Sequence, residues 1–269
     1  MRPLSFIIGS ALTWACTVSS TAILLPLYIW PSGDVWNPVY DAIASHPNIP
    51  FYVIINPSSG PGDSEYPASD YITGVSKLNS FDNVRVLGYI PTGYTARNMS
   101  EVRNYIFKYG KWSSYTASNI SISGIFFDEA PNENDPTKIA YMRTAANYVK
   151  SSKFVTSGNA PKTVVFNPGT IAAQGYLDSA TFVVQFEDTY ANWESQNALK
   201  SLPWSQRNQT AAILNETPLT ASFTDTALSV HKMGLGAMYM ASGCCYNNVN
   251  TVEKVADAMA EAYADGAVR

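Results

Sequence analysis

The chain has 269 residues, of which 46% are hydrophobic and only 14% are charged. This length suits one domain with a large core, because barrels of about 250 residues fold as single units. The net charge is −4 and no cluster of Lys and Arg is present, which argues against nucleic acid and anionic membrane surfaces as partners. With only His46 and His231 available, a histidine-based metal centre is excluded.

The N-terminus has the features of a secretory signal. Arg2 precedes an apolar segment of about fifteen residues, and small residues at 18–20 offer a cleavage site. A spanning helix needs about twenty apolar residues, so the segment is short for that role. We therefore predict a signal peptide over residues 1–20 and one domain over residues 21–269. Apolar character resumes at Ala22, so an uncleaved membrane anchor is the alternative.

Glycosylation sequons and the cysteine content agree with export. Asn-x-Ser/Thr sequons begin at Asn98, Asn119, Asn208 and Asn215. Cys16 falls in the predicted signal, which leaves the adjacent residues Cys244 and Cys245. Neighbouring Cα atoms are about 3.8 Å apart, below the usual range for a disulfide. A strained ring between the two sulfurs and two buried thiols both fit this pattern.

Strand-like apolar runs alternate with helix-like segments along the rest of the chain. The strand-like runs cover residues 22–30, 51–56, 84–90, 120–128, 163–167, 180–188, 210–215 and 234–240. Helical spacing of apolar residues covers 36–45, 70–81, 100–109, 135–149, 219–233 and 252–263.

Eight nearly continuous apolar strands favour a parallel sheet covered by helices on its outside. Eight such units in this length match a (β/α)8 barrel. A doubly wound open sheet is the alternative, but no glycine fingerprint follows the first strand. We predict an α/β fold, a single-domain (β/α)8 TIM-type barrel.

Carboxylates end two of these runs. Asp128 and Glu129 end the fourth run, and Glu187 lies near the end of the sixth. Parallel barrels present catalytic residues at the carboxyl ends of their strands. Two carboxylates cleave a glycosidic bond with retention when they are roughly 5–5.5 Å apart and with inversion at roughly 6.5–9.5 Å. The alternatives are a helix cap for the Asp-Glu pair and a salt bridge for Glu187.

Tyrosines and asparagines at the other strand ends are candidates for sugar contacts. Tyrosine is abundant, with 17 residues, and its ring suits stacking on sugar rings as well as core packing. We predict substrate binding by Tyr28, Asn56, Tyr89, Asn167 and Tyr239. Each of the two asparagines precedes a proline, which favours a turn-forming role for them. Asp188 is favoured as a helix cap.

Five segments resemble the spherulin 4-like proteins, the spherulation-specific family 4 of cell-surface proteins. They occur in the family's order at residues 25–31, 55–62, 88–92, 124–131 and 166–169. The likeness extends from about Leu25 to about Tyr263. The resemblance implies membership of glycoside hydrolase family 135, whose fungal (β/α)8 enzymes cleave galactosaminogalactan within the chain. The Cys244-Cys245 pair is not part of the resemblance.

The resemblance also implies roles for the three acidic residues. In families similar to this one, the strand-four Asp is the nucleophile and the strand-six Glu is the acid/base. These positions fall on Asp128 and Glu187, with Glu129 as a supporting or substrate-binding carboxylate.

The sequence thus predicts a secreted or cell-surface endo-acting glycosidase. Its expected substrate is a polysaccharide of α-1,4-linked galactosamine and N-acetylgalactosamine. We expect a monomer with no cofactor, no tightly bound metal ion and no nucleic-acid partner. The alternative is a non-catalytic carbohydrate-binding or structural coat protein of a spore or cell wall, built on the same barrel.

Overall fold

Eight parallel strands close into a barrel in the computed structural model, which describes residues 20–156, 160–195 and 198–267. Each strand pairs with the next in the sequence, and the last pairs with the first. The strands are β1 Ala22–Leu27, β2 Phe51–Ile55, β3 Val84–Pro91, β4 Gly124–Asp128, β5 Thr163–Phe166, β6 Phe182–Thr189, β7 Thr210–Asn215 and β8 Ala237–Met240. The predicted (β/α)8 barrel is confirmed.

Helices follow the strands and form the outer layer. They are α1 Asn37–Ser45, α2 Ser69–Leu78, α3 Met99–Lys111, α4 Pro136–Ser151, α5 Gln174–Leu177, α6 Tyr190–Ser195, α7 Trp204–Arg207, α8 Phe223–Lys232 and α9 Val252–Ala267. The three shortest, α5, α6 and α7, have four to six residues each and were not predicted. Helices this short contain too few turns to show an apolar period.

The predicted signal peptide lies outside the described residues, apart from Ser20. Within the described ranges, no helix combines the length and the apolar character needed to cross a membrane.

Burial of the strands accounts for their continuous apolar sequences. All six residues of β1 are buried, and so are all four of β5 and of β8. One face of each strand fills the barrel and the other packs against the helices, so neither face selects polar residues. Polar side chains therefore collect at the strand ends, where the packing layers stop.

A bulge in β6 sets the direction of Glu187. The pairing with β7 is regular up to Val184 and resumes at Phe186, so Gln185 is an extra residue on its strand. Gln185 is buried, accepts a hydrogen bond from the backbone N–H of Ala172 and donates one to the Thr210 hydroxyl. An inserted residue reverses the face of every side chain beyond it. Without the bulge, Phe186 and Glu187 would exchange faces.

The loop after β8 contains a disulfide between Cys244 and Cys245, whose Cα atoms are 3.8 Å apart. The sequence left open a strained disulfide ring or two buried thiols, and the structure has the disulfide. Both residues are exposed, and the next residue, Tyr246, is buried.

The close approach of β4 to β5 depends on a glycine. A Cβ atom on Gly124 would lie 2.1 Å from the carbonyl oxygen of Thr163. We expect Gly124→Ala to lower the free energy of unfolding by about 2 kcal/mol or more, because overpacking a core costs roughly 1–3 kcal/mol. Urea unfolding followed by circular dichroism measures the change.

Gly110 in α3 provides the matched control. A Cβ atom there would meet the Phe154 ring at 3.6 Å, an ordinary contact distance. Gly110→Ala should leave the free energy of unfolding unchanged or raise it by up to about 1 kcal/mol, since alanine is the better helix former. Equal effects of the two substitutions would contradict the steric explanation.

Candidate active site

Asp128, the last residue of β4, is held between the two neighbouring strands. The Tyr89 hydroxyl, on β3, donates a hydrogen bond to its Oδ2 at 2.7 Å. Nδ2 of Asn167, just after β5, donates to its Oδ1 at 2.8 Å. Both carboxylate oxygens therefore have a fixed donor, which orients the group at the carboxyl end of the barrel.

Glu187 is held in the same way from the other side. Nδ2 of Asn167 donates to its Oε2 at 2.5 Å, and the Tyr246 hydroxyl donates to its Oε1. Burial raises the pKa of the Glu187 carboxyl above its ordinary value, and the negative charge of Asp128 raises it further. The two hydrogen bonds act in the opposite direction because they stabilise the charged form.

The Asn167 side chain joins the two carboxylates. Its Nδ2 bonds both groups, and its Oδ1 accepts the backbone N–H of Gly169 at 3.1 Å, which fixes the orientation of the carboxamide. The two bonded carboxylate oxygens lie no further apart than the sum of 2.8 and 2.5 Å. This upper limit on one oxygen pair indicates closely spaced carboxyl groups, which favours the retaining arrangement of roughly 5–5.5 Å over the roughly 6.5–9.5 Å of inverting enzymes.

Three tyrosines enclose the carboxylate pair. The Tyr28 ring makes edge contacts with the rings of Tyr89 and Tyr246, each with a centroid distance of 5.5 Å. Burial raises the pKa of all three hydroxyls, and the charges of Asp128 and Glu187 raise these pKa values further. The hydroxyls consequently stay protonated around neutral pH, so Tyr89 and Tyr246 remain donors to the carboxylates.

Glu129 is separated from Asp128 by a change in the backbone. Its φ is 51°, in the left-handed region, so the regular strand stops before it. Its side chain is exposed, and Oε2 accepts the backbone N–H of Gly93 at 3.2 Å. The Asp-Glu pair is thus divided, with Asp128 in the hydrogen-bonded cluster and Glu129 at its rim.

The loop after β3 supports both residues of the pair. The buried Thr92 hydroxyl has one hydrogen to share between the carbonyl of Asp128, at 3.0 Å, and that of Glu129, at 2.7 Å. Its backbone N–H also donates to the Asp128 carbonyl, at 2.9 Å. The turn that ends β4 is therefore bonded along its backbone to the neighbouring loop.

Two of the predicted sugar contacts lie outside this cluster. Oδ1 of Asn56 accepts the backbone N–H of Gly60 at 3.2 Å, which is the turn-forming arrangement. Tyr239 is buried, its hydroxyl pairs with that of Thr251 at 3.2 Å, and burial raises its pKa to about 12. Neither side chain shares a hydrogen bond with Asp128 or Glu187 in the described part of the chain.

Asp188 has local partners only. Its Oδ1 accepts the backbone N–H of Thr189 at 2.7 Å, and its Oδ2 accepts Nδ2 of Asn192 at 2.8 Å. The cap of α6 is instead the next residue, Thr189, whose hydroxyl accepts the backbone N–H of Asn192 at 3.2 Å. The contacts of Asp188 separate it from its neighbour Glu187.

Tyr246 was not among the predicted site residues. It lies six residues beyond the end of β8, on a loop with no strand or helix period. Its backbone has φ of 53°, and its hydroxyl donates to Glu187 of β6 from the loop after β8. Nothing in the local sequence marks this contact, because it depends on the path of the loop.

Comparison with known proteins identifies the family of the chain. The sequence profile of spherulation-specific family 4 matches residues 22–259. The chain belongs to this family. Spherulin-4 of Physarum polycephalum, a curated family relative, is 33% identical over 242 residues, which is 85% of this chain. The matched region spans 66% of the length of spherulin-4.

A solved structure shares the fold of this family member across nearly its whole length. The crystal structure of Aspergillus clavatus Sph3 in complex with GalNAc matches with a TM-score of 0.81 and 34% sequence identity. The match covers 90% of this chain and 98% of Sph3. The barrel, and not only a short motif, is common to the two proteins.

The electrostatic environment of Glu187 is testable by titration. We expect Asp128→Asn to lower the pKa of Glu187, because it removes a neighbouring negative charge. We expect Tyr246→Phe to raise that pKa, because it removes a hydrogen bond to the charged form. NMR titration with 13C-labelled glutamate, assigned with Glu187→Gln, measures both shifts.

Asp188→Asn is the control for this titration, because Asp188 is adjacent in sequence but bonded elsewhere. It should leave the pKa of Glu187 unchanged. Shifts of the same sign in the Asp128→Asn and Tyr246→Phe variants would contradict the assigned causes.

Proposed function

We propose that this protein is an endo-acting glycoside hydrolase of a polysaccharide that contains α-1,4-linked galactosamine and N-acetylgalactosamine. The observation that carries the proposal is the carboxylate pair Asp128 and Glu187, joined through Asn167 at the carboxyl end of the barrel. Family membership supports it, and so does the likeness to Sph3, whose crystal structure contains GalNAc. The reaction is proposed to occur outside the cell or at its surface, with the protein acting as a monomer.

In the proposed reaction, Asp128 is the nucleophile and Glu187 the acid/base. The raised pKa of Glu187 favours its protonated form, which a general acid requires. Glu187 transfers its proton to the glycosidic oxygen while a carboxylate oxygen of Asp128 attacks the anomeric carbon. The bond to the leaving chain breaks and an Asp128 ester of the sugar forms.

The second half of the reaction reverses the roles. Ionised Glu187 takes a proton from a water molecule, whose oxygen attacks the anomeric carbon and releases Asp128 as a carboxylate. One negative charge is shared by the pair at each resting stage, on Asp128 first and on Glu187 in the intermediate. Asn167 therefore always has one charged acceptor, and its donor group does not need to move.

The hydroxyls of Tyr89 and Tyr246 are proposed to position the pair during these steps. Each donates to the carboxylate oxygen that Asn167 leaves free. Their raised pKa values keep them neutral, so they add hydrogen bonds without adding charge. Such preoriented donors lower the cost of rearranging charge in the transition state.

Removal of either carboxylate tests the proposal. We expect Asp128→Asn and Glu187→Gln each to lower kcat on galactosaminogalactan by at least about a thousandfold, as for other paired catalytic groups. Release of reducing ends from the purified polymer measures the rate, and circular dichroism checks the fold. Asp188→Asn is the matched control and should retain activity, since its partners are local.

Full activity in the Asp128→Asn or Glu187→Gln variant would contradict the residue assignment. A folded wild-type protein that binds the polymer but releases no reducing ends would instead favour the non-catalytic alternative.

The stereochemical outcome provides an independent prediction. The Asn167 bridge keeps the bonded oxygens of the two carboxyl groups no further apart than the sum of 2.8 and 2.5 Å. Because retaining enzymes have the more closely spaced pair, we expect retention of the α configuration. Proton NMR of the first product formed from a defined oligosaccharide identifies the anomer before mutarotation. Initial formation of the β anomer would contradict Asp128 as the nucleophile.

A further inference from the structure

Tyr94 is a large exposed side chain at the active-site end of the barrel. It lies in the short turn Gly93–Thr95, directly after β3, and is 62% exposed. The backbone N–H of Tyr94 donates to the carbonyl of Glu129 at 2.7 Å. Tyr94 is therefore in direct backbone contact with the residue that follows Asp128.

The backbone of Tyr94 has an unfavourable conformation for a residue with a bulky side chain. Its φ is 52° and its ψ is 36°, in the left-handed region, and the neighbours Gly93 and Thr95 have φ of 57° and 80°. Glycine adopts this region freely, whereas a residue with a Cβ atom is strained there. Strain of this kind persists where the surrounding contacts enforce it, and it concentrates at ligand sites.

Hydrogen bonds to the end of β4 hold the turn in this conformation. The Gly93 N–H is bonded to the carboxylate of Glu129 at 3.2 Å, and the Thr92 hydroxyl is bonded to the carbonyls of Asp128 and Glu129. The turn is thus bonded to the end of β4 through Thr92, Gly93 and Tyr94. The backbone that carries the ring has a defined position relative to Asp128, and most of the side chain faces solvent.

We propose that the Tyr94 ring is a stacking platform for a sugar residue of the polysaccharide, in a subsite on the Glu129 side of the cleavage point. The inference rests on the proposed function and adds a binding position to it. A tyrosine ring presents a flat apolar surface with few internal degrees of freedom, which suits the C–H face of a pyranose ring. An enzyme that cuts within a chain has to bind sugars beyond the one that reacts.

Substitution of Tyr94 separates a binding role from a structural one. Tyr94→Gly removes the ring and relieves the positive φ, so the melting temperature should stay the same or rise. The KM for the polymer should rise roughly three- to tenfold, the range expected for one lost aromatic contact. Tyr94→Phe keeps the ring and should retain the wild-type KM.

Two further variants complete the test. Tyr94→Asn removes the ring with a residue that tolerates the left-handed region, and it should raise the KM as Tyr94→Gly does. Phe107→Ala is the matched control, because Phe107 is 61% exposed but lies on the outer helix α3. It should leave the KM unchanged.

An unchanged KM in both Tyr94→Gly and Tyr94→Asn would overturn the proposal, and so would a lowered melting temperature with an unchanged KM. Calorimetric titration with a galactosaminogalactan oligosaccharide keeps the test independent of catalysis. If the wild type binds the oligosaccharide without cleaving it, the proposed function fails. Weaker binding by Tyr94→Gly would still support the platform, and equal binding would overturn it.

Discussion

The two hydrogen bonds from the Asn167 amide group, one to each carboxylate, are the constraint on which the site depends. One carboxamide nitrogen donates to both carboxylates, so the lengths of the two hydrogen bonds limit the distance between the bonded carboxylate oxygens. The backbone N–H of Gly169 fixes the other end of the side chain. Because β5 lies between β4 and β6 in the barrel, a residue at its carboxyl end is the natural bridge between the acids of its neighbours.

Two carboxylates at this distance repel one another when both are charged. The structure reduces that repulsion by keeping Glu187 in a buried position that favours its neutral form. The surrounding tyrosines supply neutral donors in place of Lys or Arg, which would hold both acids ionised. Under the proposed mechanism, the burial that reduces the repulsion also favours the protonated Glu187 that a general acid requires.

Backbone irregularity in this protein is concentrated at one end of the barrel. In the described ranges, every non-glycine residue with positive φ follows the carboxyl end of a strand; these residues are Ser59, Tyr94, Thr95, Glu129, Glu216 and Tyr246. The loops at the amino end connect the layers without such residues in those ranges. Strained conformations are retained where they direct side chains. Glu129 is the clearest instance, because its left-handed backbone turns its side chain away from that of Asp128.

The sequence by itself determined the barrel and brought most residues of the candidate site together. Apolar runs of strand length separated by amphipathic segments are compatible with few folds other than a parallel sheet covered by helices. Carboxyl ends of parallel strands meet at one end of a barrel, so Tyr28, Tyr89, Asp128, Asn167 and Glu187 could be placed together from their positions alone. The resemblance to a known family selected the same acids.

Tertiary structure decided the directions of the side chains. The bulge at Gln185 sets the face of Glu187, and the left-handed Glu129 ends the alternation that would otherwise relate it to Asp128. Tyr246 joins the site through a loop, while Tyr239 turns to Thr251. Periodicity predicts which residues share a strand end, but a bulge, a positive φ or a contact between distant loops has no period. These features depend on hydrogen bonds that exist only once the barrel has closed.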